Sequence, residues 1–222
     1  MGNLRRAAAV EVLPRVPGQW FHDRLEFRKG ATQEFAMAER DPLTGALAHG
    51  DWPLAERLLM RAAHKGKPPA AVLYNLGRVM MEQGKWGPAR TWLRRALARD
   101  KGHAKAWFEL GRVELELGDL DAAGAAFGRV LGLTPGDSDA RINLGRIVLR
   151  LGRYEELRAV LQPLAGRDVE VDGMLYRAAA ELRLPEAEAL RRDLWRRDGR
   201  GERAAALRAL TRASKGCLPL DL

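Results

Sequence analysis

The sequence predicts an all-α solenoid, built from antiparallel helix hairpins that stack on one another along the chain. The main observation is a repeat at a fixed period. The segment LYNLGRVMMEQGKWGPARTWLRRAL recurs 34 residues later as WFELGRVELELGDLDAAGAAFGRVL, and again 34 residues after that as RINLGRIVLRLGRYEELRAVLQPL. This period is typical of helix–turn–helix units that bury their apolar faces only against their neighbours.

Two sets of glycines repeat in this register and predict the course of each unit. The first set lies within the first helix, where glycine costs about 1 kcal/mol relative to alanine, so it indicates the close approach of a neighbouring helix. The second set follows seven residues later and supplies the left-handed conformation that ends a helix. The two sets are Gly77, Gly111 and Gly145, and Gly84, Gly118 and Gly152.

The repeated unit resembles the tetratricopeptide repeat. When Ala70, Ala104 and Ser138 are taken as first residues, the Leu-Gly pair that the family carries at positions 7 and 8 is present in all three units. The letters YNLG at residues 74–77 match the family consensus. The resemblance implies a right-handed superhelix of antiparallel hairpins, with a concave groove lined by the first helix of each unit.

The predicted organisation is one helical array with atypical ends. The three clear repeats are preceded by a degenerate one, in which a helix begins at Pro42 with Asp41 as its cap. Terminal repeats of a solenoid meet water on one side, so departures from the pattern are expected there. The predicted segments are an irregular arm at 1–35, repeats at 36–69, 70–103, 104–137 and 138–171, a degenerate hairpin with a capping helix at 172–214, and a flexible tail at 215–222.

Three helices are predicted after the clear repeats. The first spans 172–184, and Pro185 opens the second, which continues to about Arg197. The last spans 202–214 and caps the array. Its predicted apolar side contains Ala204, Ala205, Leu207 and Leu210.

Composition and charge predict a soluble, cytoplasmic protein. Hydrophobic residues make up 46% of the chain and charged residues 30%, and no apolar run is long enough to span a membrane. The first residues lack the apolar core of a secretory signal, and the single Cys217 excludes a disulfide within the chain. The net charge of +9 is spread over several segments, which fits either solvated helix faces or an anionic partner.

One set of side chains recurs on the face that the family uses for binding. An arginine occupies position 9 of every clear repeat. Because successive first helices pack about 10 Å apart, these guanidiniums would form a ladder suited to carboxylates or phosphates. The predicted partner-binding residues are these arginines with neighbours at positions 2, 5, 6 and 12: Tyr74, Asn75, Arg78, Met81, Lys105, Phe108, Arg112, Leu115, Ile142, Asn143, Arg146 and Leu149.

Another interpretation assigns the same residues to structure. The apolar members would then belong to the inter-helix core, and the arginines would pair with nearby Glu82 and Glu116. One subclass of the family, the carboxylate-clamp co-chaperones, grips acidic chaperone tails with lysine at position 5 and asparagine at position 9. The sequence does not match it, because position 5 is aromatic or aliphatic and position 9 is arginine.

No catalytic, metal or cofactor site is predicted. The four histidines lack metal-ligand spacing, and no glycine-rich loop joins a strand to a helix. The resemblance therefore predicts a non-catalytic scaffold or adaptor, whose protein partner presents an acidic or carboxylate-bearing segment. Two alternatives stay open. The first is a nucleic-acid-associated protein that uses the arginines of residues 90–99, for which the low aromatic content predicts weak binding. The second is a non-catalytic subunit of an enzyme assembly.

Overall fold

The computed structural model describes residues 42–197 and 199–212, and the regular structure within them is helical throughout. The predicted arm, the Asp41 cap and the predicted tail lie outside the described residues. The chain divides into two compact units, with the boundary between Asp51 and Trp52.

The described part of the first unit is one short helix, α1 (Pro42–His49). It begins at Pro42 as predicted, because the fixed φ and missing N–H of proline suit the first helical turn. Ala46 is its buried residue. Gly50 follows with a φ of 71°, and there the chain leaves the helix.

The second unit is a series of helices joined by short turns. They are α2 (Trp52–Ala63), α3 (Ala70–Glu82), α4 (Trp86–Arg99), α5 (Ala104–Glu116), α6 (Leu120–Leu133), α7 (Ser138–Arg150), α8 (Tyr154–Leu161), α9 (Val169–Glu181), α10 (Glu186–Trp195) and α11 (Arg200–Arg212). Helices α3 and α4, α5 and α6, and α7 and α8 pair as hairpins, and the second helix of each packs on the first helix of the next. The predicted all-α solenoid is therefore confirmed.

Both predicted roles of the repeated glycines are confirmed. A Cβ atom added to any glycine of the first set would lie 2.7 to 2.8 Å from an apolar side chain of the second helix. The facing pairs are Gly77 and Leu93, Gly111 and Phe127, and Gly145 and Leu161. The glycines of the second set have left-handed φ values of 69° at Gly84, 82° at Gly118 and 68° at Gly152.

Replacing Gly111 with alanine is expected to lower the free energy of unfolding by roughly 1–3 kcal/mol, because the new methyl group overpacks the site against buried Phe127. Gly128 is the matched control, since a Cβ there meets nothing within 4 Å. Gly128→Ala is expected to raise stability by up to about 1 kcal/mol through helix propensity. Urea denaturation followed by circular dichroism measures both changes. Equal effects at the two positions would contradict the close packing.

Helix α9 is the centre of the C-terminal cap. It is buried along most of its length and contacts α8, α10 and α11. Met174 and Leu175 join an apolar cluster that includes Leu161 of α8. Tyr176 belongs to a second cluster, which contains Leu194 of α10. The last helices therefore cover the apolar surface that the third clear repeat leaves open.

Helix α9 begins at Val169, earlier than the predicted residue 172. The carboxylate of Asp168 explains the difference, because it accepts hydrogen bonds from the N–H groups of Glu170 and Val171. This N-cap satisfies two of the backbone donors that a helix start leaves free.

The prediction of which residues form the apolar side of α11 is wrong in part. Leu207 is 39% exposed and Ala204 is also exposed, whereas Ala206 and Leu210 are buried. Ala206 and Leu210 lie one turn apart and pack on the cluster around Tyr176. Residues 204–206 are all alanine, so the sequence does not define which side of α11 faces the core.

Candidate functional site

The predicted binding residues lie on α3, α5 and α7, the first helices of the clear repeats. Helices α3 and α5 are in contact, and positions 5, 9 and 12 fall on one side of each helix, because residues three and four apart share a face. We call this side the groove face. Lys105, Arg78 and Arg146 are exposed on it, whereas Asn75 and Asn143 are half-buried.

The apolar members of the set belong mainly to the packing between helices. Met81 is buried, and Phe108 makes an edge-on contact with Phe127 at a centroid distance of 5.3 Å. The other members that pack on the apolar clusters are Leu115, Ile142 and Leu149. For these side chains, the interpretation as inter-helix core describes the structure.

Glu109 of α5 lies between two of the arginines. Nη1 of Arg112 donates to its Oε2 at 2.8 Å, and Nε of Arg78 lies 3.9 Å from its Oε1. Glu109 is buried, whereas the side chain of Arg78 is 51% exposed and that of Arg112 is 27% exposed. One buried carboxylate is therefore hydrogen-bonded to Arg112 and lies within ion-pair distance of Arg78.

Tyr74 completes this group. Its ring packs against His103 with the centroids 4.8 Å apart. Burial raises the pKa of the Tyr74 phenol above its ordinary value, and the charge of Glu109 raises it further, while Arg78 opposes the shift. The phenol is therefore protonated at neutral pH and remains a hydrogen-bond donor.

Arg146 makes a two-pronged contact with Glu170 of α9. Nε donates to Oε1 at 2.6 Å and Nη2 to Oε2 at 2.8 Å, while Nη1 donates to Oδ1 of Asn143 at 3.2 Å. The hydrogen bonds to Glu170 are the main reason that the pKa of Arg146 is raised. Both side chains of the pair are 45% exposed, and ion pairs at such positions are typically worth about 0–1 kcal/mol.

The carboxylates that hold the arginines in the structure are Glu109 and Glu170, whereas the sequence pointed to Glu82 and Glu116. Glu82 and Glu116 lie one turn further along the same helices as Arg78 and Arg112. The contacts from Arg78 to Glu109 and from Arg146 to Glu170 instead cross from one helix to the next. Such pairs depend on how neighbouring helices are placed.

A second glutamate of α5 is buried at an otherwise apolar repeat position. Position 11 is Met80 in the preceding repeat and Val148 in the following one, but Glu114 stands between them and is 1% exposed. Its Oε1 accepts a hydrogen bond from Arg94 at 2.8 Å, and its Oε2 lies 3.5 Å from Nη1 of Arg90. The change of residue type at position 11 is the sequence signal for this ion pair.

The described residues contain no group of His, Cys, Asp and Glu side chains arranged to hold a metal ion. Nδ1 of His49 and of His64 each lies within hydrogen-bond distance of a backbone oxygen four residues earlier. His103 instead caps α5 by accepting from the N–H of Ala106.

Within the residues that the structure describes, every helix is too short or too polar to cross a membrane.

Comparison with known families identifies the repeat. A family model described as tetratricopeptide repeat matches three overlapping segments, which together cover more than half of the chain. The matched segments are residues 44–104, 74–138 and 108–168. Among curated proteins, none matches this sequence.

Solved structures of MamA have a similar fold. A crystal structure of MamA aligns with a TM-score of 0.62 at 18% identity, covering 76% of this chain and 94% of that chain. A structure of MamA AMB-1 aligns with a TM-score of 0.60 at 18% identity, covering 79% and 91%. At these identities the likeness concerns the fold alone. The chain belongs to the tetratricopeptide repeat family, whose stacked hairpins are scaffolds for protein–protein interaction.

Proposed function

We propose that this protein is a non-catalytic scaffold or adaptor, which holds an acidic segment of a protein partner on the groove face. The observation that carries the proposal is the arginine at the same position of three consecutive repeats, each within ion-pair distance of a carboxylate of the chain. Arg78 and Arg146 keep 51% and 45% of their side-chain surface exposed.

The donors of Arg146 illustrate how a partner carboxylate is accommodated. A guanidinium has five N–H donors, and three N–H groups of Arg146 bond to Glu170 and Asn143. The remaining donors are available to a second carboxylate, and contacts of this charge-assisted type are the stronger protein hydrogen bonds. Lys105 is exposed on the same face and adds a positive charge to it.

Affinity capture from a nuclease-treated lysate, read out by mass spectrometry, tests the proposal. The groove variant changes Arg78, Arg112 and Arg146 to alanine. It is expected to lose partner capture, because each single contact is worth on the order of 1–3 kcal/mol. Because buried Glu109 also loses both of its arginines, which lowers the free energy of unfolding, capture is compared at a temperature at which the variant keeps the wild-type helix content. The control variant removes the same charge elsewhere by changing Arg61, Arg99 and Arg167 to alanine. Equal capture by the two variants would place the site outside the groove face.

Nucleic-acid binding is the second candidate, and the composition of α4 favours it. This helix contains four arginines and no acidic residue, and the guanidinium of Arg95 lies 4.3 Å from the ring centroid of Trp92. Arg90 and Arg94, however, already contact Glu114, so half of these charges are compensated within the chain. The nuclease treatment removes any capture that depends on nucleic acid. If the captured proteins together form an enzyme, this protein would be a non-catalytic subunit of that assembly.

A further inference from the structure

A pocket of about 570 Å³ lies between α4, α5 and α6. Its floor is formed by Trp107, Leu110 and Glu114 of α5, which are three and four residues apart and so share one side of the helix. Arg112, two residues before Glu114, belongs to the groove face on the other side of α5. The pocket is therefore separate from the site proposed above.

Short side chains create the space in this pocket. Its walls contain four alanines of α4 and α6, and Ala98 and Ala125 among them are exposed, so the pocket opens to solvent. Its volume falls within the range of about 300–1,000 Å³ that is typical of ligand sites lined mainly by apolar groups. The alanines are Ala98, Ala122, Ala125 and Ala126.

The rim of the pocket is positively charged. Arg94, Lys101 and Arg129 line it together with one carboxylate, Glu114. Glu114 is already held by Arg94 at 2.8 Å, and within the described residues no carboxylate pairs with Lys101 or Arg129. An apolar interior beneath two uncompensated cations is complementary to an apolar group that is flanked by negative charge.

Two contacts orient the ring of Trp107 in the floor of the pocket. Its Nε1–H donates to the backbone oxygen of Lys101 at 2.9 Å, and the guanidinium of Arg129 lies 5.7 Å from its ring centroid. A nucleobase that stacked here would compete with Arg129 for the ring face, and stacking platforms of nucleic-acid binders use open aromatic faces. The arrangement favours an aliphatic or aromatic side chain that enters between the alanines.

We infer that this pocket is a second binding site, which takes one bulky apolar side chain of an acidic protein segment. The apolar side chain contacts Trp107, Leu110 and the alanines, while carboxylates before and after it in the partner meet Lys101 and Arg129. The two faces of α5 would then serve two different contacts, one made chiefly by arginines and one made by an apolar anchor with a charged rim.

A short fluorescein-labelled peptide, with one phenylalanine between aspartates and glutamates, is the probe for this site. Fluorescence anisotropy at physiological salt is expected to show saturable binding, which weakens about tenfold or more when the phenylalanine is changed to serine, as for an interface anchor residue. Ala125→Phe fills the pocket and is expected to weaken binding to a similar extent. Ala159→Phe, at the exposed equivalent position of the next repeat, is the matched control and is expected to bind like the wild type.

The charged rim is tested in the same way. The double variant Lys101→Gln and Arg129→Gln is expected to weaken binding about tenfold, which corresponds to 1.4 kcal/mol. The control Arg61→Gln with Arg167→Gln removes equal charge elsewhere. Each variant is compared at matched helix content and melting temperature.

Several results would overturn the inference. These are the absence of saturable binding, equal affinity for the serine peptide, and the same loss in a variant and its control. Tighter binding of an oligothymidylate with the same variant dependence would make the pocket a nucleic-acid site instead. Peptide binding that survives Ala125→Phe but is lost in the groove variant would place the peptide on the groove face, so it would support the proposed function alone.

Discussion

Removing residues 172–222 is expected to abolish cooperative unfolding of the remaining chain or to make that chain aggregate. The deletion removes most of α9, including Met174 and Leu175, which pack with Leu157 and Leu161 of α8. Burial of each such side chain contributes about 1.5–3 kcal/mol. Because domains are typically stable by only about 5–15 kcal/mol, opening this cluster removes a large share of the total.

Thermal denaturation and size-exclusion chromatography of the truncated chain measure this effect. The matched control is a deletion that begins at residue 213 and keeps every described helix. It is expected to unfold cooperatively near the wild-type midpoint. A monomeric chain of residues 1–171 with that same midpoint would show that the C-terminal helices do not cap the stack.

Changing Arg90 and Arg94 together to alanine is expected to lower the free energy of unfolding by about 3–5 kcal/mol, because it leaves a buried carboxylate without a counter-charge. Glu114 is 1% exposed and both arginines reach it. Urea denaturation measures the loss. Arg61→Ala with Arg167→Ala provides the control, since both side chains are exposed.

Replacing the carboxylate instead of the arginines distinguishes the effect of Glu114 on stability from the effect of Arg90 and Arg94. Glu114→Met restores the residue type that stands at position 11 as Met80 and removes the buried charge itself, so it is expected to cost much less stability than the double arginine variant. Arg90 and Arg94 are 39% and 57% exposed, so water can solvate them after the change. A large loss of stability in Glu114→Met, with none in the double arginine variant, would contradict this account of the pair.

The hairpins were predictable because one physical constraint recurs at a fixed spacing. Gly111 must accommodate Phe127, and Gly118 must adopt a left-handed φ of 82°, so both roles are visible in the sequence as unvarying glycines. The apolar side of α11 was not predictable in the same way. It is determined by contacts with α9 and α10, which belong to no repeat.

The repeat position of each arginine was visible in the sequence, but the carboxylate that each arginine contacts was not. The resemblance gives the position of Arg146 in the repeat, whereas Glu170 belongs to α9, the helix after the last clear hairpin. The pocket next to Trp107 was not anticipated either. It depends on small side chains from α4 and α6 that face one another only after the helices have packed.

The central claim is that the groove face binds an acidic segment of a protein partner. The affinity of the captured partner for the Glu170→Gln variant tests this claim most directly. This change removes the carboxylate that holds Arg146 in a two-pronged contact and leaves the guanidinium free for the partner. The control is Glu186→Gln, which removes an equal charge from the exposed pair that Glu186 makes with Arg158. If the groove face binds an acidic segment, Glu170→Gln tightens binding by up to about 5-fold, which corresponds to the roughly 1 kcal/mol that an exposed ion pair is worth at most, and the control changes it much less. Weaker binding by Glu170→Gln, or equal changes in the two variants, would contradict the proposal.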